Sequence, residues 1–260
     1  MSSALPTPFD VKLMNIAATA LFSAFIAALL AAGAWWALRN PAFAIAGITV
    51  QGDVSHNSAA TLRANVTPRL AGNFFTVSLD GAREAFESVP WVRKAVVRRE
   101  FPNRLRVRLE EHQAVALWGS DVDARLLNNF GEVFEANAGD VEADELPRLA
   151  GPDDQSAQVL GMYRTLNPMF EPLDLGIDAL ALTARGSWQL ALDNGAAVEL
   201  GRGTPEEVTA RTQRFVQTLN QVASRYSRRP EALVSADLRH GDGYAVRLRG
   251  VTTTAEALKK

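Results

Sequence analysis

The sequence predicts an α+β protein with a single transmembrane helix. A small β-α-α-β-β domain follows, and then a mainly antiparallel β-domain with flanking helices. Three observations carry this. Leu13 to Leu38 contains no charged residue and is bounded by Lys12 and Arg39. Arg104 to Leu109 alternates polar and apolar at period two after a Pro102-Asn103 turn, as a half-buried strand does. Further on, Asp193-Asn194-Gly195 and Gly241-Asp242-Gly243 separate apolar runs as hairpin turns do, because Asn and Gly tolerate positive φ.

As a helix, Leu13–Leu38 is roughly 39 Å long, enough to cross a hydrocarbon core of ~30 Å with tilt. Trp35 and Trp36 suit a membrane interface, and Lys12 and Arg39 can extend their charges out of it. Ala42-Phe43-Ala44 offers a cleavage site, but a cleaved leader has an apolar core of about 7–15 residues, shorter than this one, so a retained anchor is expected. The charges at the two ends of the span lean weakly towards residues 1–12 being a cytoplasmic tail.

The chain has 260 residues, enough for two small domains after the span. A formal charge of −2 leaves no basic excess for neutralising phosphates, which argues against nucleic acid. The absence of cysteine removes disulfides, thiolate metal sites and cysteine nucleophiles. His56, His112 and His240 have no ligand spacing.

In the first domain, Phe43, Ile45, Ile48 and Val50 make a strand stopped by Gly52-Asp53. Asn57 or Ser58 caps a helix over Ala59–Val66, which ends before Pro68. Ser78 or Asp80 opens a second helix with Leu79, Ala82, Phe86 and Val89 on one face, and Pro90 ends it. The hairpin Lys94–Glu110 closes the unit.

The second domain opens with Leu126 to Phe134 as strand, turn and strand, followed by an extended segment at Leu146–Pro152. A helix runs from about Asp154 to Pro168, with Ala157, Leu160, Tyr163 and Met169 on one side. Trp188–Leu192 and Ala196–Leu200 form a hairpin. Thr204-Pro205-Glu206-Glu207 starts a helix by the capping-box pattern, with Val208, Phe215, Leu219 and Val222 along its face. Leu233–His240 and Tyr244–Arg249 make the last hairpin. Residues 251–260 have little to bury and are expected to be disordered. One edge of the final strand is therefore expected to lack a partner within the chain.

Chemistry is sparse. Glu110 and Glu111 are adjacent on a strand and point to opposite faces, so they cannot share a substrate. Gly201-Arg202-Gly203-Thr204 precedes a helix but lacks the lysine and length of a phosphate loop, and reads as a turn and cap. Arg93, Lys94, Arg98, Arg99, Arg104, Arg106 and Arg108 form the one strong charge feature. They make either a solvated hairpin face or a docking surface for an acidic segment or anionic headgroups.

Phe74-Phe75 before a helix, Pro90-Trp91-Val92, Phe101-Pro102, the alternating strand, and Glu111 followed by Val115-Ala116-Leu117-Trp118 form an ordered set. With Leu146–Pro152, Ala184-Arg185-Gly186-Ser187-Trp188-Gln189-Leu190 and Asp237-Leu238-Arg239…Gly243, this set resembles the FtsQ (DivIB) family of bacterial cell-division proteins over nearly the whole chain. Ala114 departs from it where the family often carries proline.

The resemblance implies a POTRA domain over 43–112, in which Pro90, Trp91 and Phe101 are structural, and a β-domain over 113–250. It further implies a non-enzymatic, single-pass type II scaffold in the inner membrane, with residues 1–12 cytoplasmic, residues 13–38 in the bilayer and the bulk periplasmic at the division septum. That scaffold would link early and late division proteins, binding the coiled-coil proteins FtsB and FtsL and other divisome membrane proteins. No cofactor, small-molecule substrate or nucleic acid is implied. By motif, the FtsB-binding residues carry over to His240, Gly243 and Leu248 with Arg185 beside them, and Tyr244, Val246 and Arg247 complete the strand. His240 departs from a frequent tyrosine, and Leu248 stands where an aromatic can occur. Two other readings compete. An anchored periplasmic cell-wall enzyme would need a pocket of convergent titratable groups. A POTRA-type assembly or secretion component would need tandem repeats or a barrel.

Overall fold

Pro8 precedes a helix, α1 (Phe9–Arg39), that begins before the uncharged run and carries Asp10 in its first turn and Arg39 in its last. The computed structural model describes residues 8–52, 54–120, 124–241 and 243–251. The expected tail at 251–260, most of the leading segment, and Asp53 and Asp242 of the two turns lie outside these, apart from Val251. None of α1 is buried, and it is long and apolar enough to cross a membrane.

After α1 the chain does not go straight into a strand from Phe43. The Asn40 side chain accepts a hydrogen bond from the Ala42 N–H and Pro41 fixes φ, so Pro41–Phe43 closes into a single 3₁₀ turn. The first strand, β1, is Gly47–Gly52. The helices follow as expected: α2 (Ala59–Val66) is capped by Ser58 and α3 (Leu79–Glu87) by Ser78. Leu79 is only half-buried, and Ala82, Ala85 and Phe86 form the inward face.

The hairpin β2 (Val92–Glu100) and β3 (Arg104–Glu111) then completes a three-stranded sheet of order β1-β3-β2. β1 runs parallel to β3, from Gly47 beside Arg104 to Gly52 beside Leu109, and β2 pairs antiparallel. Leu62, Val66, Phe86, Val89, Val107 and Leu109 fill the space between helices and sheet. Arg104, Arg106 and Arg108 point to the uncovered face, as period two requires.

Two of the expected structural residues lie at the surface. Phe101 stands at the hairpin tip, beyond the helix layer, and is 79% exposed. Pro90 is exposed as well, and holds the junction through its backbone, its carbonyl accepting from Asn57 Nδ2 at 3.0 Å. Trp91 is buried.

The second unit begins at His112. Its strands are β4 (Ala114–Trp118), β5 (Arg125–Asn128), β6 (Val133–Phe134), β7 (Arg148–Ala150), β8 (Ile177–Leu182), β9 (Trp188–Leu192), β10 (Ala197–Gly201), β11 (Leu233–Asp237) and β12 (Ala245–Leu248). Its helices are α4 (Ser156–Phe170) and α5 (Pro205–Arg225). One sheet of order β12-β11-β10-β9-β8-β7-β4-β5-β6 contains all nine strands.

The sheet is mostly antiparallel, with three parallel joints: β4–β7, β7–β8 and β10–β11. The β7–β8 and β10–β11 joints are bridged by α4 and α5, the crossover that parallel neighbours need. α4 runs through Pro168 to Phe170, because Leu166 and Phe170 are buried on either side of it and hold the last turn despite the missing N–H. Its buried face is Val159, Leu160, Met162, Leu166 and Phe170. Ala157 is exposed, and Tyr163 and Met169 are half-buried.

Candidate partner-binding edge

Only two strands end the nine-stranded sheet, and they differ. β6 pairs β5 through two residue pairs. β12 pairs β11 from Asp237↔Ala245 to Leu233↔Leu248, with a register shift between Leu233 and Ser235. Among the described residues no strand pairs with the outer side of β12. Along it Ala245 and Arg247 are exposed, Val246 is half-buried and Leu248 is buried at 4%. Leu248 therefore belongs to the core, where it packs with Leu233 and Ala236, and its side chain is not displayed to a partner. The period of two dictates this: Val246 and Leu248 share the covered face.

The hairpin leading into β12 is held from α5. The capping box of Thr204 and Glu207 fixes the start of that helix, and Phe215 and Leu219 on its buried face lie against the sheet. Tyr244 is pinned by this helix twice: its hydroxyl lies 2.6 Å from Thr218 Oγ1, and its ring meets Phe215 edge-on at 5.1 Å. A pocket of about 250 Å³ opens beside it, lined by Arg211, Arg214, Gln217, Thr218, Leu238, His240, Gly241, Gly243 and Tyr244. Among the described residues that line it none is a carboxylate, and Arg211 and Arg214 bring positive charge to it. Sequence reading missed α5's contribution, because Arg211 and Thr218 lie about 25–30 residues before the hairpin and carry no motif.

The ladder also brings Arg185 to this end of the sheet. It sits in the turn between β8 and β9. Trp188 pairs with Gly201, Glu199 with Asp237, and Asp237 with Ala245. Three strand spacings, about 14 Å, separate β9 from β12, so Arg185 and Tyr244 share an end of the sheet without being neighbours.

The hairpin has its own clamp. Arg239 donates from Nε and Nη2 to Asp237 at 2.9 and 2.6 Å, and its backbone N–H donates to Oδ1 at 3.0 Å. These bonds, the side-chain ones foremost, lower the Asp237 carboxyl from 3.8 to about 2. A carboxyl depressed on folding contributes stability above its ordinary value and loses it as pH falls through the folded one. Asp237→Asn should therefore lower the melting temperature at neutral pH, and the two melting curves should converge as pH drops from 3.8 to about 2. Parallel curves over that range would show that the clamp is not formed.

Among the described residues, no cluster of three His, Asp or Glu side chains could hold a metal ion. The profile of the FtsQ-type POTRA domain matches residues 43–112, and that of the C-terminal region of cell division protein FtsQ/DivIB matches residues 116–239. The chain belongs to the FtsQ/DivIB family. The cell division protein FtsQ of Burkholderia pseudomallei is 42% identical, covering 93% of this chain and 94% of its own. Those of Bordetella pertussis and Thiomonas arsenitoxydans are 40% and 38% identical, with coverage of 92% or more on both sides. The part of the first unit that follows α1 is thus an FtsQ-type POTRA domain. A role in cell division comes with the family, and α1 gives the chain the form of a single-pass membrane protein.

Proposed function

We propose that this FtsQ-family chain is a non-catalytic, bitopic scaffold of the divisome. Its short N-terminal segment lies in the cytoplasm and both folded units lie in the periplasm at the septum. It joins early and late division proteins by binding FtsB, and through it FtsL, along the outer edge of β12. The observation that carries this reading is the open edge of β12 beside an electropositive pocket. An extended segment could add there as a further strand, its backbone groups pairing with those of β12.

Arg247, His240 and Gly243 are exposed alongside and would contribute side-chain or backbone contacts, with Tyr244 set by α5. Arg211 and Arg214 favour an acidic stretch in the bound segment. β2 of the POTRA domain is also an edge strand, but Lys94, Arg98 and Arg99 guard it with charge, a common defence against strand addition. The full chain in detergent should retain the periplasmic segment of FtsB on a column, and Arg211→Glu with Arg214→Glu should weaken that retention. Equal retention by the double variant would remove the pocket from the interface.

A further inference from the structure

The end of the POTRA domain nearest α1 carries aromatic and basic groups that the β12 reading does not use. The Asn73 carboxamide donates to the Leu38 carbonyl in the last turn of α1 at 2.5 Å, and the Phe74 N–H donates to the Phe43 carbonyl at 2.8 Å. The loop at 73–75 is therefore held against the end of the helix. Phe43 and Phe75 meet edge-on at 5.0 Å, Phe74 and Phe75 at 5.3 Å, and Phe74 and Phe101 at 6.4 Å. Phe75 is 47% and Phe101 79% exposed.

Arg99 stitches the loop from β2, donating through Nε to the Phe74 carbonyl and through Nη2 to the Val77 carbonyl, each at 2.8 Å. Because β1 and β3 run parallel, Gly47 and Arg104 mark the same end of the sheet. Arg104 is exposed at that end and Arg98 two rungs in from it, beside Arg106, and among the described residues neither forms an ion pair.

We infer that this end of the POTRA domain docks on the bilayer that α1 crosses, with Phe75 and Phe101 entering the headgroup–acyl boundary and Arg98 and Arg104 meeting anionic phospholipid headgroups. Geometry commits the occupant. Trp35 and Trp36 mark the interfacial level of α1, and Leu38 lies only ~3–5 Å further along the axis. A side chain hydrogen-bonded to Leu38 keeps its loop within one residue's reach of that level. Exposed phenyl rings held there face the boundary where aromatic rings are favoured, and cations within a Debye length of about 8 Å feel the lipid charge. The inference rests on α1 being a membrane span and is independent of the β12 edge.

The chain has no cysteine, so single labels can be placed in the full-length protein. Phe101→Cys, Phe75→Cys, Gln51→Cys at the opposite end of β1, and Phe25→Cys in α1 are each given a nitroxide. The labelled proteins are then reconstituted alone in nanodiscs of phosphatidylcholine with phosphatidylglycerol. Collisions with dissolved oxygen and with a water-soluble nickel chelate report depth. The labels at 101 and 75 should gain oxygen and lose nickel accessibility relative to the label at 51. Arg98→Glu with Arg104→Glu, or phosphatidylcholine alone, should shift them towards the aqueous pattern while circular dichroism is unchanged.

Labels at 101 and 75 as nickel-accessible as the one at 51, with the label at 25 in hydrocarbon, would overturn the docking and leave the span standing. An aqueous label at 25 would overturn both. Docking that ignores the charge reversals would overturn the role given to anionic headgroups.

Discussion

Trp91→Ala is expected to destabilise the POTRA domain by about 3–5 kcal/mol, the range for removing a large buried aromatic. Trp91 is 3% exposed and seals the point where the chain leaves α3 for β2. Its ring stacks on His56 at 3.9 Å and 9°. The same loop is held by the buried carboxylate of Glu111, which accepts from the backbone N–H groups of His56 and Asn57 and from Asn57 Nδ2. Removing the indole thus opens a cavity beside a buried charge.

Small domains have about 5–15 kcal/mol in total, so the loss should be visible as a large fall in the denaturation midpoint of the first unit. Trp91 also has φ of 70°, where a Cβ costs about 1–2 kcal/mol. Glycine escapes that cost and gives back about 0.5–1 kcal/mol in chain entropy. Trp91→Gly should therefore be no worse than Trp91→Ala, despite being smaller. An unchanged midpoint for the alanine variant would show that the ring does not hold the junction.

The second large effect is on the binding proposed for β12. Consecutive amides of β12 alternate between β11 and the open edge, so a proline at either Val246 or Arg247 removes an outward donor while the other breaks the ladder to β11. Of Val246→Pro and Arg247→Pro, the one whose circular dichroism stays native should lose retention of the FtsB segment. Undiminished retention by a folded proline variant at the outward position would exclude strand addition at β12.

Much of this fold was legible because its signals are local. Ser58, Ser78 and Thr204 are caps with side-chain oxygens next to apolar periodicity, and Asp193-Asn194-Gly195 is a turn whatever surrounds it. The alternation from Arg104 to Leu109 survives because one face is buried and the other wet. What escaped notice depends on partners distant in sequence. β8, Ile177–Leu182, lies in mid-sheet and reads as an apolar run with one acid, Asp178, that neither period claims. The parallel joints follow from α4 and α5 crossing over, which no residue announces. Phe101 is singled out by the family motif Phe101-Pro102, and its 79% exposure at the hairpin tip depends on the fold and not on that motif. At the β12 edge, the strand and its hairpin could be read from the sequence. The electropositive wall supplied by Arg211 and Arg214 could not, since it depends on where α5 lies against the sheet.

The placement of β1 beside β3 also has a mechanical consequence. The chain enters the POTRA domain at Gly47 and leaves it at Glu111, and these two points lie at opposite ends of a parallel ladder of six residue pairs. Tension between the anchor and the segment after Glu111 would therefore load those pairs together, in shear. A hairpin pulled at its open end, as β2 and β3 would be from Val92 and Glu111, parts one pair at a time. Pulling a single molecule from positions 46 and 112 should meet a higher rupture force than pulling from 92 and 111. A POTRA domain wired this way would act as a stiff link, passing strain onward before it yields.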